Sequence, residues 1–592
     1  MKKKYWVVIL CVALVFTLLP GMAMAAPEEE GSDGKTIMSE PLLKDGEIHD
    51  TSDVIARYDP EEYKVMNDGQ FWFIQEEGGW LKLIGYKGEL SGTLVIPTEY
   101  GGFPVQAIGE EAFKEAEITG ELNIPSCIDS IGRNAFSGCE GLTSLKLNPG
   151  LEIIDGGAFE NCSGLTGDLF IPDSVASIGS HAFAFDSGFT GTVHFPVNPA
   201  FTTIPDHMFY YAGGFTGEVY IPDNVRVISS NAFNMGRFNK ATLRLPENLQ
   251  EIGHWAFIGC SGLTGTLEIP EGVKNIEYGA FSGCYGFTGN LILPDSVEII
   301  EYNAFYNCNN LDGILKLPKN LKSIGAKAFW SDGKLQGDLY LPDSVESIGE
   351  EAFAYCSNLD GTIHLPENPK YTEIQKGTFN NCGNLAGSLV IPGNINKIGD
   401  EAFYYCKNLS GNLVIPESVE RICYRAFCGC SGFNGTLSLP DGLNELGYQC
   451  FSNCSGFIGD LEIPGTVRSV DSYAFQRCTG FDGTLTINYG VEIIGEAAFS
   501  GCSSLTGDLV IPASVTGMGD DAFGSCKSFT GTLTLSPALK SIPNDAFTYC
   551  EGLTGSINLP ESIESIGAYA FFHCPGFTGN LRIPDATKNI YQ

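Results

Sequence analysis

The chain has 592 residues with 71 acidic against 34 basic side chains, a formal net charge of −37. Such a charge repels polyphosphate and anionic lipid, which excludes nucleic acid as the expected partner; because the acids are spread along the chain, their main use is a solvated exterior. The seven histidines form no H-x-x-x-H pair, and there is no G-x-S-x-G elbow, C-x-x-C pair or complete phosphate loop, so no enzyme activity, cofactor or metal site is expected.

In chain order, the first residues, MKKKYWVVILCVALVFTLLPGMAMA, carry three lysines, an apolar run of secretory length and the small-x-small site Ala23-Met24-Ala25. They predict a signal peptide over residues 1–25 and no membrane span, since the run is short and lacks a stop-transfer flank. Cys11 lies inside the run without the small residues of a lipid-attachment site, and leaves with the leader. Residues 26–65, opening APEEEGSDGKTIMSE, are acidic and aperiodic and predict a spacer. Their GSDGKT places two residues between glycines where a phosphate loop needs four.

From Phe113 to Phe571 an A-F dipeptide or its variant recurs at intervals of 23, 23, 24 and 26, then 24 with one further 26. A fixed period of this length marks stacked coils, not separate domains. In the unit after Phe257, Thr264-Gly265 make a turn, Leu267-Glu268-Ile269 alternate as a strand, and Pro270 stops the ladder by withholding its amide hydrogen. Val273 and Ile276 point inward, and the four-residue spacing of Ile276 and Ala280 predicts one helical turn ending in buried Phe281. The expected fold is a repeat solenoid over residues 66–592. It is a right-handed coil of about 21 turns behind an N-terminal capping segment, with one long parallel β-sheet on one face, its strands running from 94–96 to 581–583, and short helical turns on the other.

The phrase IGxxAFxxCxxLTGxLxIPxSV resembles the BspA-like leucine-rich repeats of bacterial surface and secreted proteins, and residues 84–113 resemble the opening turn of that family. The resemblance covers roughly residues 84–592 and implies export and action as an adhesin or a binder of host proteins and other cells. One unit, LTSLKL at 142–147, keeps the plain L-x-x-L-x-L frame where most units insert one residue, as in LTGTLEI.

Fifteen cysteines stand three residues after a repeat phenylalanine, from Cys139 to Cys574. Successive coils place them in a column, at the position that an asparagine ladder takes in other leucine-rich repeats. A buried column of reduced thiols is the expected reading, with disulfides between adjacent coils geometrically open. Cys127, Cys423, Cys428 and Cys450 lie outside the column; the last three, with Cys430 and Cys454, form a sulfur-rich patch suited to packing or one local disulfide, since C-x-C and C-x-x-x-C without histidine are not common zinc spacings.

The outward strand position forms a second column. It reads Phe170, His194, Tyr220 and Arg244 on consecutive coils, and later Tyr340, His364, Val390 and Val414. Aromatic rings and arginine anchor interfaces, although exposed rings also stabilise sheets by cross-strand pairing. Asp186, Ala212 and Gly236 replace the column cysteine in the same region, so residues 165–245 are the candidate recognition patch. Two longer coils, FPVNPAFTTI at 195–204 and LPENPKYTEI at 365–374, share an N-P-x-aromatic-T pattern seven coils apart and read as an inherited variant unit.

The expected function is noncovalent binding of a protein or glycan ligand on host or neighbouring cells by a secreted or surface-held bacterial protein. A passive envelope spacer is the alternative, and a hydrolase with a concealed carboxylate pair a distant third. The last unit, LRIPDATKNIYQ, stops before its phenylalanine. Three outcomes are open there: Ile590 and Tyr591 cover the edge, chains associate end to end through it, or the sequence belongs to a longer product.

Overall fold

The computed structural model describes residue 58 and residues 62–591, within one compact unit spanning His49–Gln592. The expected leader and most of the spacer lie outside the described residues. Strands β1 (Lys64–Asn67), β2 (Phe71–Gln75) and β3 (Leu81–Tyr86) form an antiparallel meander. β3 then pairs in parallel with Phe103–Ile108, which begins the coils. Phe73, Leu81 and Leu83 are fully buried, so the meander covers the apolar end that a stack of coils would otherwise leave open.

Most coils contribute two short stretches of parallel ladder. One lies at the x-Ile positions, as in Ser130–Ile131, Ile153–Ile154 and Ser177–Ile178, and includes a run of seven strands from Glu373–Ile374 to Gly517–Met518. The other lies on the expected strand face, where Leu169–Phe170 pairs with Val193–His194 and Leu339–Tyr340 with Ile363–His364. This face is not one long sheet. Its hydrogen-bonded runs hold two to four strands, and residues 94–96 and 581–583 form none. A proline follows most of these strands and a Thr-Gly-type turn precedes them, leaving only two or three residues free to pair.

A side-chain clamp supplements the broken ladder. Asp168 Oδ1 accepts hydrogen bonds from the Thr192 amide at 2.6 Å and the Thr192 hydroxyl at 2.9 Å, and Asp338 does the same with Thr362 at 2.6 and 2.7 Å. Gly191 and Gly361 admit the clamp: a Cβ on either would lie 2.3 and 2.5 Å from Asp168 Oδ1 and Asp338 Oδ1. The threonine donors hold both carboxyls below the ordinary aspartate range.

The short helical turns expected around the repeat phenylalanine do not form, and the described residues contain no helix. The Trp255, Phe257 and Gly259 amides donate to the Tyr278, Ala280 and Ser282 carbonyls of the next coil at 2.9, 2.8 and 2.7 Å. The alternate amides, Ala256, Ile258 and Cys260, close turns onto Gly253, Trp255 and Phe257. Trp255 and Gly259 lie at φ 54° and 72°, in the left-handed region, which an α-helix does not tolerate. Half the amides thus bind the neighbouring coil, and the result is a staircase of turns in place of a helix.

Two columns run through the interior. Every repeat phenylalanine from Phe113 to Phe571 stacks on the next, with centroids 4.9–5.9 Å apart. Beside it, all fifteen column cysteines donate their thiol hydrogen to the carbonyl of the preceding coil's phenylalanine, at Sγ···O distances of 2.9–3.2 Å. No described cysteine forms a disulfide. The thiol serves as a small apolar group with one weak donor, which suits a buried site holding one carbonyl lone pair to satisfy.

Candidate functional site: the strand face

The outward strand residues stand in register along the face, because each sits between two inward-facing neighbours. Leu169 and Ile171 are buried while Phe170 is 55% exposed; Leu339 and Leu341 are buried while Tyr340 is 56% exposed. Phe170 and His194 stack at 4.5 Å with their planes 4° apart, and Tyr340 and His364 stack at 4.5 Å and 5°. The Arg244 guanidinium lies 4.9 Å from the centroid of the Tyr220 ring, a cation–π contact. The sequence candidates therefore come together as three pairs: Phe170 with His194, Tyr220 with Arg244, and Tyr340 with His364. Val390 and Val414 are exposed on the same face but join none of these pairs.

Two carboxylates absent from the sequence candidates complete the aromatic–histidine pairs. Asp173 Oδ1 lies 3.8 Å from His194 Nε2, and Asp343 Oδ1 lies 3.4 Å from His364 Nε2. The same oxygens accept the Val197 and Glu367 amides, at 2.9 Å each, so the carboxylate is fixed by the backbone that follows the histidine. The signal lay in P-D-S-V, which follows both Phe170 and Tyr340 at the same offset. On its other side Phe170 borders a cleft of about 410 Å³, lined also by Asn123, Ser126, Lys146 and Asn148.

The opposite, turn-bearing side carries aromatic stacks that the sequence reading missed. His181 stacks on His207 at 4.5 Å, Tyr278 on Tyr302 at 5.0 Å, Tyr306 on Trp330 at 4.8 Å and Tyr424 on Tyr448 at 5.5 Å. Their repeat positions differ, three or two residues before the phenylalanine or one after it, so no single column reveals them. Burial, and then the neighbouring His181, hold His207 below the ordinary histidine range.

Within the candidate patch, Asp186 and Ala212 occupy the cysteine column fully buried, and Asp332 does so farther on. Asp186 Oδ1 accepts the Cys162 amide at 2.7 Å while its other oxygen has no partner; neither oxygen of Asp332 has one. Burial pushes both carboxyls well above the usual range, the Cys162 amide offsetting part of it at Asp186. Among the described residues no group of three or more His, Cys, Asp or Glu could hold a metal, and no helix is long and apolar enough to cross a membrane. Ile590 pairs with Ile566 as the last rung of the ladder, and Ile590 and Tyr591 are themselves 59% and 58% exposed.

Coils of this period, with this phenylalanine and this thiol, define a leucine-rich repeat solenoid. The BspA type leucine rich repeat region (6 copies) matches residues 106–239, 235–359, 287–410, 410–530 and 482–592, and the chain belongs to that family. Among solved structures, it is similar to a leucine-rich repeat protein from Bacteroides ovatus, with 19% identity, 89% of this chain and 99% of that one covered, and a TM-score of 0.40. It is also similar to a leucine rich cell surface protein from Faecalibacterium prausnitzii, with 21% identity, 89% and 94% covered, and a TM-score of 0.21. A third likeness is to the pneumococcal vaccine antigen PcpA, with 17% identity, 65% and 93% covered, and a TM-score of 0.37. No curated protein matches the chain.

Proposed function

We propose that this chain is an exported bacterial protein, secreted or held at the cell surface, that binds a protein or glycan on host or neighbouring cells through its strand face and catalyses no reaction. The observation that carries this reading is the stacking of exposed Phe170 on His194 and of exposed Tyr340 on the half-buried His364, outward of the core on the strand face. Large rings held rigidly by a scaffold supply contact area at little cost in conformational entropy. The leader sequence supports export, and family membership supports an interaction module.

The test is a screen of the secreted chain against host matrix proteins and cell-wall glycans, followed by replacement of Phe170, Tyr220 and Arg244 with alanine. Loss of the captured ligand with unchanged circular dichroism is expected, and undiminished capture by the triple variant overturns the reading. A passive envelope spacer is the competing reading, favoured by the unbroken phenylalanine stack, and it stands if the screen captures nothing.

A further inference from the structure

Residues 167–204, GDLFIPDSVASIGSHAFAFDSGFTGTVHFPVNPAFTTI, and residues 337–374, GDLYLPDSVESIGEEAFAYCSNLDGTIHLPENPKYTEI, are two versions of one stretch of solenoid, seven coils apart. Their turn-bearing sides have diverged: Ser180 and His181 correspond to Glu350 and Glu351, and buried Asp186 corresponds to Cys356. The strand face has not. Ring, imidazole and carboxylate recur as Phe170, His194 and Asp173 and as Tyr340, His364 and Asp343, with ring centroids 4.5 Å apart in both.

The core does not require this retention. Phe170 and Tyr340 are more than half exposed, and His194 and His364, their side chains 46% and 38% exposed, stack on the neighbouring ring beside an exposed carboxylate. We infer that the two constellations are copies of one binding subsite, and that a single neutral polysaccharide chain occupies both at once. This rests on the strand-face reading above and names its ligand class.

Three observations select that occupant. Each subsite offers an apolar ring beside groups that donate and accept hydrogen bonds, the combination that matches the C–H surfaces and hydroxyls of a sugar. Each imidazole lies beside an aspartate, and Lys146, one strand before Phe170, is ion-paired with Glu121 at 2.9 Å, so these groups form no cationic clamp for an anion. With a chain charge of −37 behind it, this band repels an anionic polymer. Finally, two equal subsites seven strand steps apart, about 34 Å along one axis, match a ligand that is itself repetitive and extended.

The experiment uses the secreted full chain, with soluble mixed-linkage β-glucan, α-mannan and their hexasaccharides as probes, in titration calorimetry. We expect one polymer to bind, and its hexasaccharide to bind with a stoichiometry of about two set by the two subsites. Phe170→Ala with His194→Ala, or Tyr340→Ala with His364→Ala, should each halve the hexasaccharide stoichiometry at unchanged per-site affinity and weaken polymer binding by about 100-fold or more, the loss of linked binding. If only one pair affects polymer binding, the two-subsite inference fails while the strand-face reading stands. If neither polymer binds but the face captures a protein, the glycan occupant is overturned and the strand-face reading again stands. If the fourfold variant, folded by circular dichroism, binds polymer like the parent, both fail.

Discussion

At the scale of single residues, the interior column sets thiols and carboxylic acids in the same environment, and they respond differently to proton concentration. Asp332 sits between Cys308 and Cys356 with no hydrogen bond on either oxygen, and burial raises its folded value well above that of an unfolded aspartate. Its contribution is therefore fully favourable only below about pH 4 and is lost progressively as pH rises toward the folded value. Asp332→Cys should accordingly stabilise the protein at pH 7, by about 1–3 kcal/mol, and the gain should shrink as melting is repeated toward pH 4. A gain independent of pH would show that Asp332 is not the group responsible. The thiols make a second test. Burial pushes Cys139 and Cys502 up to about 12 and Cys356 well above its ordinary value, so almost no reactive thiolate exists at pH 8. Alkylation of the native protein should reach the partly exposed Cys127 and Cys574 first and the buried cysteines only after denaturation. Rapid native labelling of Cys356 would contradict the buried, thiol-donating column. That column was legible because its period equals the repeat period; Asp332 carried the same signal as Asp186, standing three residues after Phe329 where the column cysteine is missing, but it lies alone, outside the run of three substituted coils that marked out residues 165–245.

At the scale of the element, the phenylalanine stack and the turn staircase are what hold one coil on the next. Phe353 lies between Phe329 at 5.3 Å and Phe379 at 5.9 Å, so Phe353→Ala removes two ring contacts and opens a cavity, a loss of about 3–5 kcal/mol. Because each coil contacts only its neighbours, amide hydrogen exchange should accelerate around coils 329–403 and stay slow near Phe159 and Phe523. Uniform acceleration along the chain would mean the solenoid opens as one unit. The inward residues of these elements were readable from spacing alone, since Val273, Ile276 and Phe281 are fully buried as expected. The helical turn was misread for a physical reason. Ile276 and Ala280 stand four apart in a helix and also in two consecutive tight turns, and spacing cannot tell where the intervening amides send their hydrogen bonds. Nor is the left-handed position marked by one residue type: it holds Asn231, Trp255, Gly279 and Asn303 in successive coils. The clamp of Asp168 on Thr192 and the carboxylate of Asp173 beside His194 join residues some twenty positions apart, and so were visible only once the coils were stacked.

At the scale of the whole molecule, nearest-neighbour stacking makes length an adjustable property. Deleting residues 282–305 removes one complete 24-residue unit between Phe281 and Phe305 and leaves both ring–histidine pairs untouched. The shortened chain should fold with the same circular dichroism per residue and bring the two pairs closer by one strand step, about 4.8 Å, measurable between spin labels at positions 170 and 340. Loss of cooperative folding in that variant would show that the stack depends on more than adjacent coils. The thiol bonds add a direction to this architecture, since every one runs from a cysteine to the phenylalanine carbonyl of the coil before it, as from Cys284 to Phe257 and from Cys308 to Phe281. Synthesis proceeds from the N-terminus, so each acceptor has left the ribosome before its donor, and the meander of β1 to β3 precedes them all. The staircase amides run the other way, as from Phe257 to Ala280, so each coil meets the one before it with both a thiol to give and a carbonyl to receive.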